Sequence, residues 1–288
     1  MVIRRPVRMY PSSSTSQGCG LSMGRILVGL IIAGIAIVSF LASREYNPVT
    51  GEDQYVSLTP PQEIALGLQA VPEMVQEYGG EDPDPQKQAL VDRVGERLLT
   101  QSVASQTEWQ FEFHLLNDSE TINAFALPGG QVFITEGLFN LLETEAQLAG
   151  VLGHEMGHVL ARHGSQQLAK SNLTQGLVGA VAVAASNPDD PNGANAAQIA
   201  AVVGQLVNLK YGREDELESD ELGVRVMSEA GYDPRAMIRV QELLIEHSSG
   251  DRPPEFFSTH PNPENRIQRI QEAIDRQFPN GVPEGLTQ

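Results

Sequence analysis

The stretch LAGVLGHEMGHVLARHGSQQ, Leu148–Gln167, has the apolar background of a buried helix. It nevertheless carries Gly153 and Gly157, each costing about 1 kcal/mol relative to alanine in a helix interior. Between and beside them stand His154, Glu155 and His158. Residues four apart lie on one helix face a turn along, so the two imidazoles can converge on a single ion, and imidazole suits zinc. Glu155, next to the first histidine, can hold the water in an open coordination position. The glycines predict close approach of another backbone or helix beside these ligands.

The pattern is the H-E-x-x-H of zinc peptidases. A catalytic zinc usually takes three protein ligands plus water, so a third must be found. At 100° per residue His163 falls on the far side of a continuous helix from His154 and is rejected. Ala161 and Gly164 occupy the positions where the longer H-E-x-x-H-x-x-G-x-x-H layout needs Gly and His. The ligand must come from elsewhere. YGREDELESDELG, Tyr211–Gly223, supplies Glu216 and Asp220 on one face of an expected helix. Glu216 can bind zinc; Asp220 can accept a ring N–H from a ligand histidine and fix its tautomer. Alone, the same segment reads equally as an acidic solvated face.

All 37 acidic side chains lie after residue 42, while four of the 19 basic ones, Arg4, Arg5, Arg8 and Arg25, precede it. So acidic a body excludes nucleic acid as a partner, because phosphate contacts need clustered Lys and Arg. The uncharged run from Ile26 to Ser43 is 18 residues, close to the roughly 20 that span a hydrocarbon core. The reading is a basic cytoplasmic N-terminus at 1–25, a transmembrane anchor or uncleaved signal at 26–43, a polar linker at 44–58 and one domain at 59–288. The positive-inside rule sends that domain across the membrane. Cleavage near Ala42 or Ser43 would put Phe40 or Leu41 at the −3 position, a poor match to a small-x-small site. Cys19 is the single cysteine, so the body folds without an intrachain disulfide.

Within the body, Thr59-Pro60-Pro61-Gln62 combines an N-cap, a proline at N1 and a capping-box Gln, predicting a helix towards Tyr78. A second helix is expected over Pro85–Gln101, with Leu90, Val94 and Leu98 as its core stripe. WQFEFHLL, Trp109–Leu116, alternates as a strand with His114 on its polar face. NAFALPGGQVFIT reads as strand, turn and strand, completing a short antiparallel sheet. Helices follow at Gly137–Leu142 and from Thr144 onward through the opening stretch. Leu173–Ala185 and Ala194–Leu209 read as a helical hairpin on the domain, with contact at the membrane interface as the alternative, each run being too short for a comfortable span. Three more helices are expected near Glu214–Ala230, Pro234–His247 and Pro263–Phe278. The fold class is α+β, mostly α-helical.

His154-Glu155-x-x-His158, Glu216-x-x-Ser219-Asp220 and FSTHPNPENRI, in that order, resemble the membrane-associated zinc metallopeptidases. That family includes the CAAX prenyl endopeptidases, HtpX and, closest in layout, the BepA and Oma types. The resemblance covers roughly Thr59 to Phe278. It implies a gluzincin-like fold with one zinc per chain on His154, His158 and Glu216, and Glu155 as base. It also implies that His260 faces the metal, either stabilising the oxyanion or filling zinc's open position at rest. Arg266 is expected to steady the oxyanion or a carboxylate, or to form a structural ion pair. Asn123, Ala124, Phe125, Ala126 and Leu127 resemble the active-site edge strand and can pair with an extended substrate. Ser219 departs from the alanine more common in the family, and a prenylated substrate is disfavoured because multiple strong spans are lacking. His247 reads as a helix-end or surface residue.

The expected activity is zinc-dependent hydrolysis of peptide bonds in extended or misfolded chains, with zinc polarising the scissile carbonyl and Glu155 taking the proton of the attacking water. The resemblance implies quality control of envelope proteins at the inner membrane, with the domain periplasmic. A mitochondrial inner membrane location, or secretion after cleavage, are the alternatives. A zinc-containing chaperone or assembly factor is the competing function.

Overall fold

The computed structural model describes residues 23–185, 211–248 and 254–288. Helix α1, Met23–Ala42, is long and apolar enough to cross a membrane by length and composition. The segment expected to be a linker is instead an antiparallel hairpin of β1, Arg44–Asn47, and β2, Glu52–Tyr55. Its sequence lacks strand alternation, and what fixes it is the buried Asn47 amide. Asn47 donates to the Leu160 carbonyl at 2.8 Å and to Gln54 at 3.1 Å, capping the end of a helix far along the chain.

Helix α2, Pro60–Glu77, starts at Thr59, whose N–H donates to the Gln62 side chain at 2.9 Å. Helix α3 occupies Pro85–Gln101. Its buried stripe is Val91, Val94 and Leu98, one residue rotated from the expected Leu90, which is only partly buried. The sheet holds β3, Glu112–Leu116, β4, Ala124–Leu127, and β5, Gln131–Thr135. β4 and β5 form the expected antiparallel hairpin around Gly129 and Gly130, whose φ of 88° and 121° only glycine adopts without strain. β3 lies parallel to β5, giving the order β3-β5-β4 and leaving β4 at an edge.

After α4, Glu136–Phe139, comes α5, Glu145–Leu160, in which every residue from Ala146 to Leu160 is buried. A helix apolar all round belongs at the centre of a fold. Around it pack α3, β4, α7 (Arg213–Glu229) and α8 (Ala236–Ser248), with α10 (Arg266–Gln277) closing over α7 and α8. A short helix α9, Phe256–Thr259, precedes α10. Leu152 and Met156 of α5, Met227 of α7, Leu244 of α8 and Ile270 of α10 belong to one continuous core.

The expected continuous helix across Leu148–Gln167 is broken. Arg162 takes a positive φ of 58°, and α6, His163–Ala185, starts anew. Buried Glu63 accepts from Arg162 Nε and Nη2 at 2.9 and 2.7 Å, and the Leu58 carbonyl accepts a third bond, holding the corner. After first turns tied to the domain, α6 packs along α1. The expected helix at Ala194–Leu209 lies outside the described residues.

Candidate metal centre

The α5/α7 crossing answers the question of the glycines. A Cβ on Gly157 would meet Ser219 Oγ at 2.6 Å and its carbonyl oxygen at 2.7 Å, and one on Gly223 would meet the His154 nitrogen at 3.2 Å. Gly153 is in looser contact, 3.5 Å from Gly223. The Ser219 hydroxyl donates to the His154 carbonyl, so this serine joins the two helices rather than merely being small. Backbones that close bring Glu216, 58 residues after His158 in the sequence, over the α5 histidines.

His154, His158, Glu216 and His260 are fully buried and form a group able to hold a metal ion. His154 Nε2 lies 3.1 Å from His158 Nε2 and 3.4 Å from His260 Nδ1. Glu216 oxygens lie 3.5 Å from each of His154 Nε2 and His158 Nε2, and 3.1 Å from His260 Nδ1. Tetrahedral zinc with bonds near 2.0–2.1 Å sets its ligand atoms roughly 3.3 Å apart. The donor set therefore fits such an ion in both chemistry and spacing. Glu155, fully buried, has both carboxylate oxygens without a hydrogen-bond partner among the protein groups, and His260 Nε2 stands 3.7 Å from one of them. A buried carboxylate so placed is costly unless it serves a bound group.

The support behind the donors is ordered. His154 Nδ1 bonds Asp220 Oδ1 at 2.9 Å, which fixes the ring with Nε2 towards the cluster. Arg266, also buried, donates to Asp220 through Nε at 2.7 Å and Nη2 at 2.8 Å and pairs with Glu216 at 3.1 Å. Of its expected roles, the structure shows the pairing with carboxylates. Burial opposes ionisation of Glu216, yet His260, His154 and His158 hold it well below the usual carboxylate range. Burial also pulls His158 well below its ordinary value, keeping a neutral ring with a free lone pair. Burial acts the same way on His154, but Asp220 and Glu216 outweigh it and push it up to about 9. Burial pushes Glu155 up, as suits a proton acceptor.

His163 is outside the donor group, but not for the expected reason. Because the helix breaks at Arg162, its ring swings back to His158, with the two Nδ1 atoms 2.8 Å apart, and its Nε2 reaches Glu218 at 3.0 Å. The sequence offered no sign of this, nor of two rings that line the cluster. Tyr211 stacks on His158 with centroids 3.8 Å apart, and Phe256 stacks on His260 at 4.3 Å.

Asn123 is buried, and its amide donates to Tyr78 and Glu255 at 3.3 and 3.2 Å, so its side chain ties β4 to α2 and the α9 segment. Phe125 stacks on Phe133 at 4.8 Å, while Ala124, Ala126 and Leu127 are buried. A cavity of about 50 Å³ lies between this edge strand and His260, with Tyr78, Tyr211 and Glu255 in its walls. His114 bonds Gln131 at 2.9 Å and stacks on Phe133; His247 bonds the Leu243 carbonyl at 2.8 Å. Both lie outside the cluster.

The family model for peptidase family M48 matches residues 85–274. The beta-barrel assembly-enhancing protease of Escherichia coli (strain K12) is 31% identical over 271 residues, covering 88% of this chain and 53% of that protein. The mitochondrial metalloendopeptidase OMA1 of Schizosaccharomyces pombe is 32% identical over 260 residues, covering 86% of this chain and 71% of that protein. The mitochondrial metalloendopeptidase OMA1 of Bos taurus is 28% identical over 270 residues, 87% of this chain and 50% of that protein. The chain spans about half the length of the assembly-enhancing proteases it matches.

Proposed function

The chain belongs to peptidase family M48, and from that premise we propose that it is a zinc-dependent metalloendopeptidase hydrolysing extended or misfolded polypeptides. The observation that carries this reading is the buried quartet of donor atoms at tetrahedral spacing, with the unpartnered Glu155 carboxylate beside it. His154, His158 and Glu216 would hold the ion. When bound, it supplies Lewis acidity towards water and the scissile carbonyl. Glu155 accepts the proton of the attacking water and passes it to the leaving nitrogen. Asp220 and Arg266 hold the His154 ring and the Glu216 carboxylate in place. His260, whose Nδ1 stands among the donor atoms, would supply a fourth donor at rest. The free edge of β4 receives the substrate backbone as an added strand, Asn123 setting its height through Tyr78 and Glu255.

Residues 59–288 are the peptidase domain and 26–43 its anchor, with the arginine-rich start cytoplasmic and the domain periplasmic. The names of the matched relatives, an assembly-enhancing protease and mitochondrial endopeptidases, support a place in quality control of envelope proteins at the inner membrane. The test compares wild type with Glu155→Gln on an unfolded protein substrate. Cleavage is expected to fall about 10²–10⁴-fold with zinc content unchanged. Failure of the zinc-loaded wild type to cut any of several unfolded substrates would favour a chaperone that binds chains without hydrolysis.

A further inference from the structure

α6 runs from the metal cluster out along α1. Its first residue, His163, touches His158. Further on, Ala169, Asn172 and Leu173 share a cleft with Ser39, Phe40 and Ser43. Gly176 packs so closely on α1 that an added Cβ would come within 2.6 Å of the Ala36 Cβ. The two helices are thus antiparallel, and continuing the register residue for residue brings Ala185 level with Leu27, near the start of α1. From Ser171 to Ala185 α6 has no charged residue. Val178 is 63% and Val181 69% exposed on α6, and Ile31, Ile35 and Val38 are exposed on α1 beside it. The domain ends of both helices carry interface residues: Lys170 on α6, Arg44 after α1, and Phe40 stacked on Tyr55 at 4.6 Å. Long cations and aromatic rings favour the boundary between hydrocarbon and water.

We propose that the C-terminal half of α6, Leu173–Ala185, is a second membrane-embedded helix, lying in the bilayer beside α1 with Val178 and Val181 against lipid acyl chains. The run is too short to announce itself by hydropathy, but packed on a spanning helix it needs only to be uncharged and to satisfy its backbone, which a helix does internally. The inference rests on the reading of α1 as an anchor. It has a consequence for substrates: the rise from His163 to Lys170 is about 10 Å, so the His158 side of the metal cluster is held near the membrane surface. Peptide bonds close to that surface are the ones it can reach.

The test uses the full chain with Cys19→Ser and one nitroxide-labelled cysteine at a time, as Ile35→Cys, Val178→Cys, Val181→Cys or Glu96→Cys, in phosphatidylcholine vesicles. Relaxation by dissolved oxygen and by a water-soluble nickel chelate is measured for each, with zinc content compared with the unlabelled chain. The expected result is loss of nickel relaxation and gain of oxygen relaxation at 35, 178 and 181, with the opposite at 96. Labels at 178 and 181 that behave like 96 while 35 stays in lipid would overturn the second helix and leave the anchor intact. A label at 35 that behaves like 96 would overturn the anchor itself and the proposal with it.

Discussion

Asp220 accepts from His154 with the same oxygen that receives Arg266 Nη2, so its influence on a metal runs through ring orientation rather than through coordination. Asp220→Asn is accordingly expected to weaken zinc binding about 10–100-fold. Competition with a chromogenic chelator measures it, and kcat at saturating zinc should change much less. His260 has the opposite character. Its Nδ1 stands at the same spacing from Glu216 and His154 as the other donors, so it would compete with a substrate carbonyl for a bound ion. His260→Ala should therefore raise kcat/KM a few-fold while loosening zinc; a fall in kcat at full zinc occupancy would assign the ring to the oxyanion instead. At this scale the HExxH residues, Glu216 and Asp220 were legible because each pair is four apart, and helical spacing is a local rule. His163 was misplaced because Arg162 adopts a left-handed conformation that no glycine or proline announces. Its cause, the Glu63 carboxylate, lies 99 residues away.

The α5/α7 crossing is where two elements depend on one missing side chain. Gly157→Ala gains about 1 kcal/mol of helix propensity, but its Cβ must displace the Ser219 backbone, and overpacking of this kind costs typically about 1–3 kcal/mol. Net destabilisation in urea unfolding is expected. Gly157→Leu should part the helices and abolish both zinc retention and activity. Ser219→Ala removes the bond to the His154 carbonyl, worth about 1 kcal/mol, and should be mild. If Gly157→Leu kept its zinc, the two helices would not be sharing the ion. Helix ends were readable where caps and prolines are local, as at Thr59 and Pro85. Pairings across the chain were not: the parallel approach of β3 to β5 and the docking of Asn47 onto α5 depend on contacts that no periodicity encodes.

Across the whole molecule, the cluster draws together α5, α7 and the loop before α10, whose donors lie up to 106 residues apart. It buries Glu155, Glu216 and Asp220 against the single guanidinium of Arg266. A divalent cation at that point would be the largest local charge and would bind only the folded chain, whose donors are assembled. With zinc at 100 times its dissociation constant the folded state gains about 2.7 kcal/mol. For a domain of this size 1 kcal/mol moves Tm by roughly 2–4 °C, so chelation should lower Tm by about 5–10 °C. Calorimetry of the full chain in detergent, with metal content followed in parallel, measures the shift. The variants divide the causes. Glu155→Gln should keep the zinc-dependent shift, because a proton acceptor is not a ligand, and Glu216→Ala should lose it. Were the wild type to give up its zinc with no change in Tm, the ion would not be holding these elements together. The closeness of α5 and α7 would then rest on Gly157 and Ser219 alone.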